Sequence, residues 1–305
     1  MFKNRIKSLA KFLATAIDDN GSKNHENYMT AMGSLLSNQQ ALINSSHLND
    51  FEFKIFSQFG DDGIIQYLIK NVNIGNKIFI EFGVEDFLES NTRFLMVNNN
   101  WSGLVMDGSE TSINRLKAQT WFWKYDLQCK AVFIEKNNIN EILAHFGFAN
   151  IGILHIDLDG NDYHILEEIE LSVLNPSILI MEYNSVFGDE RKITVPYRKD
   201  FSRSKAHYSN LYWGASLPAI AHLANTKGYK LVGCNLAGNN AYFIRENLLN
   251  EKVREVSLKS AYNKSLYRES RNEDGSLSYL REDDRLNIIS GLNILNIVSN
   301  QIEKL

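Results

Sequence analysis

Proline is scarce in this chain, with three in 305 residues, at Pro176, Pro196 and Pro218, where about 5% is usual. That disfavours a loop-rich scaffold and favours regular helices and buried strands. Cysteine is equally sparse. Cys129 and Cys234 lie far apart and form no C-x-x-C pair, so a structural zinc or a thioredoxin-like site is not expected, and two reduced thiols of a cytosolic protein are. No stretch reaches the ~18 apolar residues of a membrane span. The basic N-terminus MFKNRIKSLAKFLATAI has neither a continuous apolar core nor a small-residue cleavage site, so it does not read as a signal peptide. A basic excess is missing too. The net charge of −4 argues against a general nucleic-acid binder. What is present is ample apolar material, 44% of residues against 22% charged, enough to build a core and to exclude a disordered chain.

The first fifty residues read as helical and polar. Phe2, Ile6, Leu9, Phe12, Leu13, Ala16 and Ile17 recur at helical spacing among lysines and an arginine. Such a basic amphipathic helix can pack on its own domain, on a second copy of the chain or, less readily, on an anionic membrane surface. A second helical run covers Tyr28 to Ile43. From residue 51 the pattern changes to short apolar runs alternating with amphipathic helices. The runs are KIFIEFGV (77–84), GLVMDGS (103–109), AVFIE (131–135), ILHIDLDG (153–160) and SILIMEY (177–183). Runs that are apolar almost throughout read as parallel strands covered on both faces. Helices are expected near 62–71, 88–99, 110–118, 138–147 and 162–169. The alternation implies βαβ crossovers and a doubly wound α/β sheet. A helix over 215–227, then YKLVGCN, a Gly/Asn turn and AYFIR, closes the sheet with an antiparallel hairpin. This seven-stranded Rossmann-like arrangement matches class I methyltransferase topology better than a dinucleotide dehydrogenase, whose sheet normally stays parallel. The expected organisation is a helical extension (1–50), a sheet domain (51–250) and a charged extension (251–305).

In open α/β sheets the ligand lies at the carboxyl ends of the strands, and here those ends are crowded with polar groups. Glu81, Gly83, Glu85 and Asn91 follow the first run, Asp107 the second, Asn137 and Asn138 the third, Asp157 and Asp159 the fourth, Glu182 and Asn184 the fifth. Part of this is helix capping; Asp162 stands at a helix start. An acidic residue ending the second strand can accept hydrogen bonds from both ribose hydroxyls, and Gly83 permits close backbone approach. The first loop is not a G-x-G-x-x-G, which counts against NAD and FAD. A cofactor with ribose but no phosphate, such as S-adenosylmethionine, does not need that fingerprint.

FIEFGVEDFLESNTRFL, WSGLVMDGS, ILHIDLDGNDYHIL and ILIMEYN together resemble the FkbM-type S-adenosylmethionine-dependent methyltransferases. SQFGDDGIIQYLI (57–69) and GASLPAIAHLANTKGYKLVGCN…NAYFIR (214–245) resemble segments of bacterial members associated with surface-glycan gene sets, and YRESRNEDGSLSYL does so more faintly. Glu85 and Phe87 depart from the pattern, standing where many methyltransferases have their second and third glycines. The resemblance implies that Glu81, Gly83 and Glu85, with Asn91, line the methionine and adenosine side. It implies ribose binding by Asp107, a place near the adenine for Asn137 or Asn138, a contact from Gln58, and Asp157 close to the reactive methyl.

Methyl transfer to a sugar hydroxyl needs a general base or a metal beside it. Asp157 and Asp159 point to one side if the strand stays extended, and Glu182 ends the neighbouring strand. The three are the expected catalytic carboxylates and, alternatively, ligands for Mg²⁺. His155 and His164 read as packing or surface residues. Residues 184–214 form an aromatic and basic segment, the natural lid over an acceptor, with Asn184, Arg198, Arg203, His207 and Tyr212 as candidate contacts. Arginines there suit an acidic or nucleotide-linked sugar. The leading expectation is a cytoplasmic O-methyltransferase acting on a sugar, sugar nucleotide or surface-glycan precursor. The alternative is a non-catalytic module of the same fold that scaffolds a glycan-assembly complex through its N-terminal helices; those helices could also join copies of the chain into a homo-oligomer.

Overall fold

The computed structural model describes residues 24–267 and 269–305. The basic helix expected over Phe2–Ile17 lies outside them. Five parallel strands form the centre of the main sheet: β1 (Ile78–Phe82), β2 (Ser102–Asp107), β3 (Leu127–Ala131), β4 (Ile153–Ile156) and β5 (Ile178–Glu182). After a short β6 (Ile193–Thr194), β7 (Tyr229–Cys234) and β8 (Asn240–Arg245) make the hairpin. The order is β3-β2-β1-β4-β5-β8-β7, with β8 antiparallel to both neighbours. This is the sheet expected from the sequence, its one reversed strand included.

Alternation along the strands divides the core into two layers. Ile80, Phe82, Leu154 and Leu179 face α5 (Ile139–Phe146), α6 (Asp162–Glu168) and α9 (Leu217–Thr226). Phe79, Val105, Ile153 and Ile180 face α2 (Asp61–Asn71), α3 (Arg93–Asn99) and α4 (Glu110–Lys117). Helices before β3 therefore cover one face and those after it the other. The winding reverses between β1 and β4, and that gap opens the cleft described below. Ser109 caps α4 as its sequence suggests, accepting from the Ser112 amide.

Three segments differ from their expected form. The third strand is Leu127–Ala131, not 131–135. It lies at the sheet edge, so its side chains are only partly covered, and the apolar run Val132–Ile134 instead turns over the top of the sheet. The helix expected from residue 88 starts at Arg93, because the preceding residues form a loop wrapped around the Glu81 carboxylate. The C-terminal extension is folded onto the 184–214 segment: β9 (Asn293–Asn296) pairs with β6 and with β10 (Gln301–Lys304) in a second sheet. Ile193, Val195, Leu211, Ile289 and Ile294 form its own small core.

The second helical run is a helix over 24–39 (α1) followed by a 3-10 turn. It is anchored by the Gln40 amide, which donates to the Phe51 and Gly63 carbonyls, and by an Arg93–Glu26 ion pair of 2.8 Å. Its outer face leaves Tyr28, Met32 and Leu35 exposed. Among the described residues no helix is long and apolar enough to cross a membrane.

Candidate active site

A cleft of about 840 Å³ lies at the carboxyl ends of β1, β2, β4 and β5. Its floor is the loop after β1. Gly83 has φ +75°, and a Cβ there would stand 1.6 Å from the Asp157 carbonyl oxygen. Glu85 and Phe87 also take left-handed backbone, with φ of 48° and 61°. The chain thus keeps the loop shape at the two positions that lack glycine, at a cost of roughly 1–2 kcal/mol per residue. The Phe87 ring is fully buried against Phe79, which offsets part of that strain.

The Glu81 side chain is occupied within the protein. It accepts from Ser90 Oγ (2.6 Å), the Asn91 and Thr92 amides (3.1 and 3.2 Å), the Thr92 hydroxyl and His155 Nδ1 (2.9 Å). Glu81 lines the cleft as expected, and its carboxylate also shapes the loop after β1. Glu81 and His155 sit directly opposite each other in the β1–β4 register, both buried. Burial opposes charge on each, but their hydrogen bond and mutual attraction win, holding the glutamate below its ordinary range and raising the histidine. His155 is therefore a buried ionic partner and no simple packing residue. Its other ring nitrogen lies 3.3 Å from the Asn91 amide nitrogen, and both residues border the cleft. His164, by contrast, packs outside the cleft against the Val195 carbonyl.

Asp107 ends β2 with its two oxygens tied to different loops. One accepts the Glu85 amide at 2.8 Å and the other the Ser109 amide at 2.7 Å. Each keeps a lone pair for the cleft. Val132, Ile134 and the half-exposed Phe133 ring form an apolar wall on this side. Asn137 and Asn138 do not line the cleft; Asn138 closes its own turn by accepting from the Glu135 amide and donating to the Phe133 carbonyl. Gln58 does line it. The preceding segment is fixed by Asp62, which accepts the Ile55, Phe56 and Ser57 amides at 2.7–2.8 Å.

The other half of the cleft is acidic. One oxygen each of Asp157, Asp162 and Glu182 lies within 4.8 Å of the others. Burial pushes Asp157 up to about 7, with Asp159 and Asp162 adding to the push and His155 opposing it. Burial and then the Asp157 charge raise Glu182 as well. Asp159 is corrected out of this group. β4 ends at Ile156 and Asp159 has φ +54°, so the extended-strand spacing no longer applies. Its carboxylate turns to Arg203 at 3.2 Å. Asp162 takes its place, although its oxygens also hold the Leu158 and Gly160 amides.

Of the residues in 184–214 expected to contact an acceptor, Arg203 alone lines the cleft; Phe201, not among them, lines it too. Arg203 pairs with Asp159 and Glu269 and lies over the Trp213 ring at 4.7 Å. Asn184 is corrected to a structural role: buried, it donates to the Leu211 and Trp213 carbonyls and accepts from the Val186 amide. Tyr212 donates to the Asn293 carbonyl, His207 bonds Ser209, and Arg198 lies near Asp200 at 3.7 Å, all away from the cleft. Residues that sequence reasoning missed are Tyr267 and Glu269, which close the cleft from the C-terminal extension. The faint similarity of YRESRNEDGSLSYL was the one signal for them.

No protein-family model and no curated protein match the chain. Solved structures similar to it include the N-terminal domain of EvdMO1 with S-adenosylhomocysteine bound, at 10% identity, covering 62% of this chain and 80% of that one, TM-score 0.40. The same domain in the presence of S-adenosylhomocysteine and D-fucose gives 11%, 72% and 94%, TM-score 0.39. An S-adenosylmethionine-dependent methyltransferase from Clostridium acetobutylicum gives 10%, 60% and 88%, TM-score 0.39.

Proposed function

We propose that this protein is an S-adenosylmethionine-dependent methyltransferase of the FkbM type, transferring methyl to a hydroxyl of a sugar or glycan precursor in the cytoplasm. The observation that carries this reading is Asp107: a carboxylate ending β2, fixed by amides from two loops and open to a cleft walled by Phe133. A ribose with two free hydroxyls and a flat base fits that pairing. The absent G-x-G-x-x-G is consistent with a cofactor that brings no phosphate. The cleft volume is within the range of cofactor sites.

S-adenosylmethionine, when bound, supplies a methyl on a positively charged sulfur. Asp107 would hold its ribose end, and the Gly83–Glu85 backbone would hold its methionine end. Asp157, poised at about 7, accepts the proton of the attacking hydroxyl, which supports a general-base role. Asp157, Asp162 and Glu182 also offer the oxygen set that a hard cation takes. Glu182 Oε2 has no hydrogen-bond partner, which fits a group awaiting positive charge. A Mg²⁺ there would acidify the acceptor hydroxyl.

Calorimetry with S-adenosylhomocysteine tests the reading. Micromolar binding is expected for the native protein, with at least tenfold weaker binding for Asp107→Ala. No binding at millimolar ligand would refute the enzyme and leave the scaffold alternative. Methyl transfer that survives EDTA would rule out the metal.

A further inference from the structure

Three buried oxygens around the acidic half of the cleft have no hydrogen-bond donor: Glu182 Oε2, Asn161 Oδ1 and Asn240 Oδ1. Their residues are 6%, 5% and 3% exposed, and all three line the cleft. The two amides cannot simply be turned over. Asn161 Nδ2 donates to the Arg198 carbonyl at 2.9 Å and Asn240 Nδ2 to Asp61 Oδ1 at 3.0 Å, so oxygen is the free atom in each. Leaving a buried acceptor unmade costs about 1–3 kcal/mol. Three such atoms on one wall mark a site completed by a ligand rich in donors.

The charge on that wall points the same way. Asp157, Asp159, Glu182 and Glu269 line it, and its arginine, Arg203, is already paired with Asp159 and Glu269. Two other bases of the 184–214 segment are paired outside this wall: Arg191 with Glu303, and Lys199 with Glu135. Among the described residues of this wall, an anionic acceptor would meet carboxylates and no unpaired cation. Phe201 and Tyr267 supply flat apolar surface, Tyr267 backed by Phe59 at a ring distance of 5.4 Å, and the C–H face of a sugar ring can lie on such a surface.

We infer that the acceptor is an amine-bearing sugar whose ammonium sits against Glu182 while its hydroxyls donate to Asn161 and Asn240. This rests on the methyltransferase reading only for the fate of the hydroxyl; the amine selectivity belongs to the wall itself.

Saturation-transfer NMR on the full-length protein in EDTA tests it, using the methyl glycosides of glucosamine, galactosamine, glucose and glucuronic acid, with and without S-adenosylhomocysteine. At least one aminosugar is expected to bind fivefold or more tighter than glucose, and glucuronate not at all. Glu182→Gln should bring aminosugar and glucose to within twofold of each other. The inference is overturned if glucuronate binds as well as the aminosugars, if amine confers no preference, if none of the four binds, if Glu182→Gln retains the preference, or if the preference appears only when Mg²⁺ replaces EDTA. Amine preference without S-adenosylhomocysteine binding would refute the methyltransferase and leave this inference standing. Cofactor binding without amine preference would do the reverse.

Discussion

Glu81→Gln tests whether the cleft floor is held by a buried ion pair. The substitution keeps shape and removes charge. Five donors converge on the native carboxylate, two of them backbone amides that cannot turn away. One oxygen becomes an NH₂ that faces at least one of those amides, and His155, fully buried, loses its counter-ion. Breaking a buried pair from one side costs about 3–5 kcal/mol, a large share of the 5–15 kcal/mol typical of a domain. Urea unfolding at pH 6 followed by circular dichroism measures it. The pH dependence gives an independent check. His155 is raised from 6.5, so above that pH the native state holds more protons than the unfolded one, and stability falls as pH climbs through the raised value. Glu81 is lowered from 4.5, so its contribution is lost as pH drops through the lowered value. The stability difference between wild type and variant should therefore be greatest between these limits and shrink on either side of them. A change under 1 kcal/mol with an unaltered pH profile would refute the ion pair.

Gly83→Ala should abolish cofactor binding and destabilise the fold, since φ is +75° and the new methyl would collide with the Asp157 carbonyl; unimpaired calorimetric binding of S-adenosylhomocysteine would contradict the loop geometry. Asn184→Ala should lower stability by about 2–3 kcal/mol, because two buried carbonyls lose their donor. Its S-adenosylhomocysteine affinity should stay within twofold, as the residue lies outside the cleft; a large loss would restore its expected place in the acceptor site. Asp107→Ala should show the opposite pattern, with binding weakened at least tenfold.

The sheet was legible because buried parallel strands write themselves as apolar runs, and a Gly/Asn turn between two such runs marks the reversed strand. Site residues were legible only as far as strand pairing continues. Glu182 is still paired, opposite Asn240, and stands where the alternation puts it. Asp159 is three residues past the last paired residue of β4, and one left-handed torsion sends it to Arg203. Asn138 and Asn184 look the same as ligand-binding residues in the sequence, being polar and just beyond strands. Which of them serves the cleft is decided by carbonyls brought near from elsewhere in the chain, such as Leu211 and Trp213.

The same limit applies to charge. The basic character of 184–214 is real, but it is local, whereas the field in the cleft depends on which bases find partners at long range. Glu303, Glu135 and Glu269 neutralise Arg191, Lys199 and Arg203 respectively. Two of those three glutamates come from the C-terminal extension, which has no strand periodicity to tie it to the site. Once they are placed, the groups without an ion-pair partner on this wall, among the described residues, are carboxyls. Residues 184–214 thus contribute one paired arginine, Arg203, to a cleft wall that also carries Asp157, Asp159, Glu182 and Glu269.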